Sequence, residues 1–398
     1  MKPEAVRGRD QTIGLLMIGG FATGINIRLM DTVLPQVAEE YMVSVGLTAQ
    51  IVTAYALGYG IMQIGLGITG DRFGKVRLVA ILCFASALAC LAAALAQSLG
   101  QLTIARFLCG AAASAMIPVS LAWIGDMFPY EERPVVLARY ASGGILGMIA
   151  GQIAGGLLTE YWNWRVGLAF VALAYFVAGL GLIVQLRRDP LISAQPLQAQ
   201  VRLSPTAAIA RMLRRPWSRI VLASVFIEGI SVFAAITFVG IELRERFDAG
   251  YGLIGAMLAF FAVGGMLFTT SARRIVPHFN QPKLIVTGSA ISAAGLLCFA
   301  LTPVMWLVPL AISLVGFGAY MLHNTLQSFA TQLLPEARAT GFSFFATLYF
   351  LSQSLGVASA ALFLDDFGAA PIFAVAAIVV GVFGLWFATY GSRFMPAS

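Results

Sequence analysis

Charged side chains are scarce in this chain: Asp, Glu, Lys and Arg make up 11% of 398 residues, where a soluble domain carries about 25%. Twenty-five Lys/Arg and eighteen Asp/Glu cannot cover a water-facing surface of this size, which excludes an ordinary soluble enzyme and a disordered chain. Histidine occurs twice and cysteine four times. Cys83, Cys90, Cys109 and Cys298 all sit inside apolar runs without metal-ligand spacing, so they read as small core hydrophobes. The sequence has no His/Cys/Asp metal set, no Gly-x-Ser-x-Gly and no Gly-x-x-x-x-Gly-Lys-Ser/Thr loop. Neither metal nor cofactor is therefore expected, nor an enzyme, nor ATP drive. A secretory signal is lacking too. Met1 to Asp10 is polar and basic, but the apolar run behind it is too long for a signal core and carries Arg28 and Asp31.

What the chain has instead is apolar length. It is 59% hydrophobic, with a mean hydropathy of +0.87. Its apolar runs last about 20 residues or more, enough to span a bilayer as helix; an outer-membrane barrel would show alternating strands of about ten residues. Breaks at charges, Pro and Gly predict twelve spans: 12–38, 46–69, 76–97, 101–126, 135–160, 163–187, 217–243, 250–272, 283–302, 305–330, 339–363 and 369–391. The longest polar gap, 188–216, carries six arginines at or near it (Arg187, Arg188, Arg202, Arg211, Arg214 and Arg215). The expected layout is a six-helix bundle over 1–187, a linker loop over 188–216 and a second six-helix bundle over 217–398, an all-α polytopic membrane protein.

Orientation follows from Lys/Arg placement. Twenty of the 25 Lys/Arg fall in the tails and loops on the N-terminal side, and only Arg165, Arg244 and Arg246 in loops on the other; Arg28 and Arg106 lie within spans. Both termini are therefore expected in the cytoplasm, in an inner or plasma membrane. The net charge of +7 is accounted for without nucleic acid, and the basic linker is expected against anionic lipid headgroups.

Two acids fall well inside spans, Asp31 and Glu228, with one histidine, His323, and the polar Asn324 beside it. Ionisable groups at membrane depth cost about 2.5–3.5 kcal/mol each for Arg, Lys or Asp on an insertion scale, so each is a functional candidate. At 1.5 Å per residue Asp31 lies about 9 Å outside the midplane and Arg106 about 10 Å outside, and Arg28 shares a helix face with Asp31. An Arg28–Asp31–Arg106 cluster is expected, either as a structural ion pair between spans one and four or as a protonation or substrate-charge site. Glu228, near the middle of span seven with no cation at its level, is expected to carry the proton, and His323, placed about 8 Å toward the cytoplasm, to relay to it. Trp162, Trp164 and Trp306 near the outer ends read as interfacial anchors.

The loop between spans two and three reads Gly67-Ile-Thr-Gly-Asp71-Arg72-Phe73-Gly74-Lys75-Val76-Arg77. It resembles the G-x-x-x-D-R-x-G-R-[KR] loop of the major facilitator superfamily, with Val76 at the second basic position and Arg77 one place late. Asp31-Thr-Val-Leu-Pro35 resembles the D-x-x-L-P stretch of that family's drug:proton antiporter branch, and Arg106 to Gly110 its R-x-x-x-G element. Gly147-Met-Ile-Ala-Gly151-Gln152-Ile-Ala-Gly155-Gly156 resembles the antiporter pattern G-x-x-x-G-P-x-x-G-G, with Gln152 in place of Pro. Pro335-Glu-Ala-Arg338 is also family-like.

The resemblance implies two bundles around a central cavity lined by spans one, four, seven and ten, worked by alternating access. It also implies a conformational latch in which Asp71, Arg72 and Lys75 of the loop join Asp126 at the cytoplasmic end of span four. Read without the resemblance, the same loop serves only to fix topology. The leading expectation is proton-coupled export of a small amphipathic molecule such as a drug, sugar or metabolite, by a monomer that takes only that substrate, protons and the bilayer as partners. Proton-coupled uptake of a metabolite is the alternative, favoured by Gln152; a non-transporting receptor or scaffold would need a larger extra domain than a gap of about 29 residues allows.

Overall fold

The computed structural model describes residues 3–129, 132–189, 192, 205–334 and 338–394. Among the described residues every regular element is helical, as it must be where a bilayer offers the backbone no hydrogen-bond partner and no barrel closes. Among these residues twelve helices are long and apolar enough to cross a membrane: Gly8–Tyr41, Val45–Gln63, Lys75–Ala94, Leu99–Met127, Val135–Tyr161, Trp164–Arg188, Pro216–Phe247, Tyr251–His278, Gln281–Leu301, Met305–Ala330, Thr340–Phe367 and Ala370–Thr389. We number them spans one to twelve. The second runs on as helix to Phe73. These match the twelve predicted spans to within a few residues, the first being longer at both ends. Ser98, Asn163 and Asn280 accept from backbone N–H groups two or three residues on and so cap the starts of spans four, six and nine. Among the described residues of the predicted linker, Pro205–Arg214 forms a short helix that buries Met212 and exposes Leu213.

Spans four and seven depart from regular α-helix in their interior, and span five does not. Span four opens at Ser114–Ala115, because Pro118 has no N–H to give the carbonyl of Ser114. Span seven passes through one π-helical turn, Gly229–Phe233, directly after Glu228. Span five is continuous from Arg133 to Tyr161, as expected where Gln152 replaces a kinking Pro.

The glycines of span five bring it into close backbone contact with spans one and eight. Gly147, Gly151 and Gly155 lie against Phe21, Ile25 and Leu29 of span one, and Gly156 against Tyr251 and Gly255 of span eight. A Cβ on Gly151 would stand 2.7 Å from the Cα of Ile25, whereas one on Gly155 would stand 3.1 Å from the Leu29 carbonyl oxygen. Backbone cannot step aside as a side chain can. Gly151→Leu is therefore expected to lower the melting temperature of the purified protein by roughly 5 °C or more, and Gly155→Ala by no more than about 2 °C. Differential scanning fluorimetry checks this; equal melting for both variants would mean that span one yields freely to span five.

With twelve spans both chain ends lie on one face. The first six and last six spans meet along two seams, span two with span eleven and span five with span eight. Among the described residues the side chains that join the halves by hydrogen bonds are Ser44 and Asp365, Glu160, Ser354 and Tyr320. All of these lie at mid-depth or toward the face away from the chain ends.

Candidate functional site

Among the described residues, four of the ionisable groups within the spans, Glu228, His323, Arg28 and Asp31, form two sites that share one aromatic ring. The first is built on spans seven and ten. Glu228 is fully buried, and its Oε2 lies 3.0 Å from Nδ1 of His323. Nε2 of His323 is in turn 3.1 Å from Nε2 of Gln327. As placed, the Gln327 amide donates to Nε2, so the ring carries its proton on Nδ1 and donates it to the carboxylate. Phe233, Phe345 and Tyr349 surround the imidazole, with ring centroids 6.1, 6.0 and 4.8 Å away. The π-helical turn puts Phe233 there, and Gly229 beside it lets span eleven come close: a Cβ at that position would strike Ser352 and Tyr349. A turn of this kind recurs at functional sites because it breaks the regular register. The His323 side chain is 18% exposed, Gln327 is half-buried and Ser328 exposed. The row therefore runs from Glu228 toward the face that carries the chain ends. Asn324 takes no part in it and accepts from Ser328 through its backbone carbonyl, 3.0 Å. The expected 8 Å step between Glu228 and His323 is closed to a direct contact, because both side chains reach along their helices.

The second site lies on span one. Arg28 Nη1 donates to Asp31 Oδ2 at 3.0 Å, with both side chains buried. The guanidinium stands 5.7 Å from the centroids of both Phe233 and Phe261, within reach of a cation–π attraction. Phe233 thus touches both sites. Among the described residues Asp31 Oδ1, Arg28 Nε, Thr237 Oγ1, Glu228 Oε1 and both amide atoms of Gln152 are buried without a hydrogen-bond partner. A polar group left so costs about 1–3 kcal/mol, and a cluster of them between two halves is what a polar ligand or water would satisfy.

Arg106 does not complete this cluster. It donates to both acceptors of Asn26, the side-chain oxygen at 2.5 Å and the backbone oxygen at 3.1 Å, and lies 4.4 Å from the Tyr55 ring. Arg28, one turn back, already occupies Asp31 Oδ2, while Asn26 offers the guanidinium fork two acceptors at once. Asn26 also donates to Cys90 Sγ at 3.4 Å, and Cys109 lies 3.6 Å further on. Asn26 escaped the sequence reading; its signal was a lone amide inside an apolar run.

At the face of the chain ends, Gly74 separates the helices Gln50–Phe73 and Lys75–Ala94 with φ of +91°, a backbone that only glycine adopts without strain. Lys75 Nζ is 2.6 Å from Asp126 Oδ2, and Arg77 is exposed. Gly67 lies on the helix backbone; the side chains of Asp71, Arg72 and Arg338, and Pro335 to Ala337, lie outside the described residues. Trp162 and Trp306 are 69% and 87% exposed, but Trp164 is fully buried and donates to Glu40 Oε2 at 2.7 Å. That one tryptophan is a packing residue with a satisfied indole N–H, because Asn163 turns the helix start inward.

The family model described as Major Facilitator Superfamily matches residues 16–357 and again 225–396. The uncharacterized MFS-type transporter YybF of Bacillus subtilis is 21% identical over 87% of this chain and 85% of its own. The putative multidrug resistance protein MdtD of Cronobacter sakazakii is 24% identical over 92% and 88%. Among solved structures, a bacterial homologue of the human lysosomal transporter Spinster, in an inward-facing and unoccupied conformation, superposes with a TM-score of 0.74 at 16% identity, covering 99% of this chain and 96% of that one.

Proposed function

The chain belongs to the major facilitator superfamily, and from that premise we propose that it exports a small amphipathic organic molecule in exchange for protons. The observation that carries the coupling is the row Glu228, His323 and Gln327. It leads from a fully buried carboxyl toward the face of the chain ends, which on this reading is the cytoplasmic one. Proton binding at Glu228 changes what His323 can donate to, and Phe233 passes that change to Arg28 and Asp31. The aromatic walls and the unpartnered polar atoms suit a molecule with an apolar body and a hydrogen-bonding head. One proton moving down 100 mV supplies about 2.3 kcal/mol, enough for tens-fold accumulation. The multidrug resistance protein named above supports export.

The unkinked span five, with Gln152 where the antiporter pattern has Pro, favours a second reading, proton-coupled uptake of a small metabolite. Reconstituted vesicles of both orientations, given a compound panel with and without an imposed pH gradient, separate the two. Movement of substrate against the proton flux supports export; movement with it supports uptake; no gradient dependence for any transported compound rejects proton coupling.

The Lys75–Asp126 contact belongs on this reading to a latch between conformations. Lys75→Gln is expected to slow transport about three- to tenfold while leaving substrate affinity within about twofold, since it touches state exchange and not the cavity. Initial rates in vesicles and thermal-shift titration check this. Weakened binding at an unchanged maximal rate would place Lys75 on the substrate path instead.

A further inference from the structure

Away from both buried sites, two carboxylates each grip backbone of the opposite half. Asp365, in the last turn of span eleven, accepts from Ser44 Oγ at 2.6 Å and from the Gly46 N–H at 3.0 Å, where the chain enters span two. Glu160, in the last turn of span five, accepts from the Gly252 N–H at 2.8 Å, where the chain enters span eight.

The two contacts correspond. Spans five and eleven are each the fifth of their six, and spans two and eight each the second, so one half's relation to the other is repeated in reverse. Glycine marks both receiving ends. A Cβ on Gly46 would stand 2.7 Å from Asp365 Oδ2, and one on Gly250 2.8 Å from Glu160 Oε1. Glu160 also meets the positive end of the long helix Tyr251–Ile275, where an anion is favoured. Beside these contacts the face is not solidly packed: a cavity of about 370 Å³ opens between the ends of spans one and seven, lined by residues such as Pro35, Glu39, Val45, Ile241 and Arg244.

We propose that Glu160 and Asp365 are a paired clasp that holds the face away from the chain ends shut, and that both must release their backbone donors before the halves part there. The proposal rests on the chain being a transporter of this family, not on proton coupling or on the direction of transport. Both carboxylates are exposed. Water therefore competes for each bond, and either contact alone is readily released. Acting together across two seams they bias the closed state without locking it, as an alternating machine requires.

Spin labels report this directly. Leu95 and Leu301 are exposed at the far ends of spans three and nine, one in each half. Labels at L95C and L301C, in a C298S background, give one distance across that face. Labels at R187C and Q281C give the other, across the face of the chain ends. Glu160→Ala and Asp365→Ala are each expected to raise the long-to-short ratio across the far face about threefold to tenfold, and together by about the product of the two. The distance at the chain ends should shorten in step. Should the double alanine variant not give monodisperse protein, Glu160→Gln with Asp365→Asn makes the same comparison. A double variant whose far-face distances overlay those of the parent overturns the clasp. So does a far face that broadens with no reciprocal change at the chain ends, which would mean local loosening only.

Discussion

Glu228→Gln is expected to abolish gradient-driven accumulation, by about tenfold or more, while energy-independent exchange of substrate continues. Glutamine keeps the size and an oxygen that accepts from His323 Nδ1, now 3.0 Å from the carboxylate, so packing against Phe233 and Tyr349 is preserved. It removes the one group in the row that binds and releases a proton as a carboxyl. Exchange needs only the conformational cycle with substrate bound; accumulation needs a proton on one stroke and none on the other. The measurement is twofold: counterflow and pH-gradient-driven uptake in the same vesicles, and proton release on substrate binding followed with a pH dye in detergent. Loss of counterflow together with accumulation would make Glu228 a structural or substrate-binding group. Normal proton release from the variant would move the coupling site elsewhere, with Asp31 the first alternative.

Asp31→Asn is expected to act on folding and binding rather than on coupling. Arg28 lies beside Asp31 on the same helix face, both buried. Removing the carboxylate leaves a cation in a low-dielectric site, a loss of about 3–5 kcal/mol when one partner of a buried pair is deleted. The two rings at 5.7 Å recover only part of that, since a cation–π contact is worth about 0.5–2 kcal/mol. Purified Asp31→Asn should therefore melt several degrees lower, and the double variant Arg28→Met/Asp31→Leu, which removes both charges, should melt nearer the parent. A double variant less stable than Asp31→Asn would show that the pair is more than a charge balance. Full stability of Asp31→Asn alone would show that Arg28 has water access and needs no partner.

The legible part of the fold came from length and polarity. Twelve runs of about 20 apolar residues have no folded alternative in a bilayer except helices, so their number and approximate ends needed no tertiary information. The one-sided placement of Lys and Arg gives an expected orientation, with the basic loops on the cytoplasmic side. Glycine at 147, 151 and 155 marked a helix face of close approach, because four-residue spacing repeats on one side of a helix. The loop glycine at 74 marked a turn. The buried acids, the two arginines and His323 were equally plain as candidates, since each is costly at depth wherever its partner lies.

Partnership was a different matter. Depth along a helix gives a level, not a neighbour, and at one level several spans offer side chains. Arg106 was placed near Asp31 by level, yet its fork met two acceptors on Asn26. Glu228 and His323 were placed apart by level, yet their side chains closed the gap. Phe233 links the two sites only because a π-helical turn shifts its direction, and no spacing rule announces that turn. The carboxylates of Glu160 and Asp365 looked like ordinary loop charges until the opposite half's backbone arrived at glycine. What the chain alone determined is which residues cannot rest in lipid or water unaided. Which group satisfies each of them was decided by how the helices pack, because hydrogen bonds and ion pairs act over about 3 Å and only the tertiary structure sets distances that small.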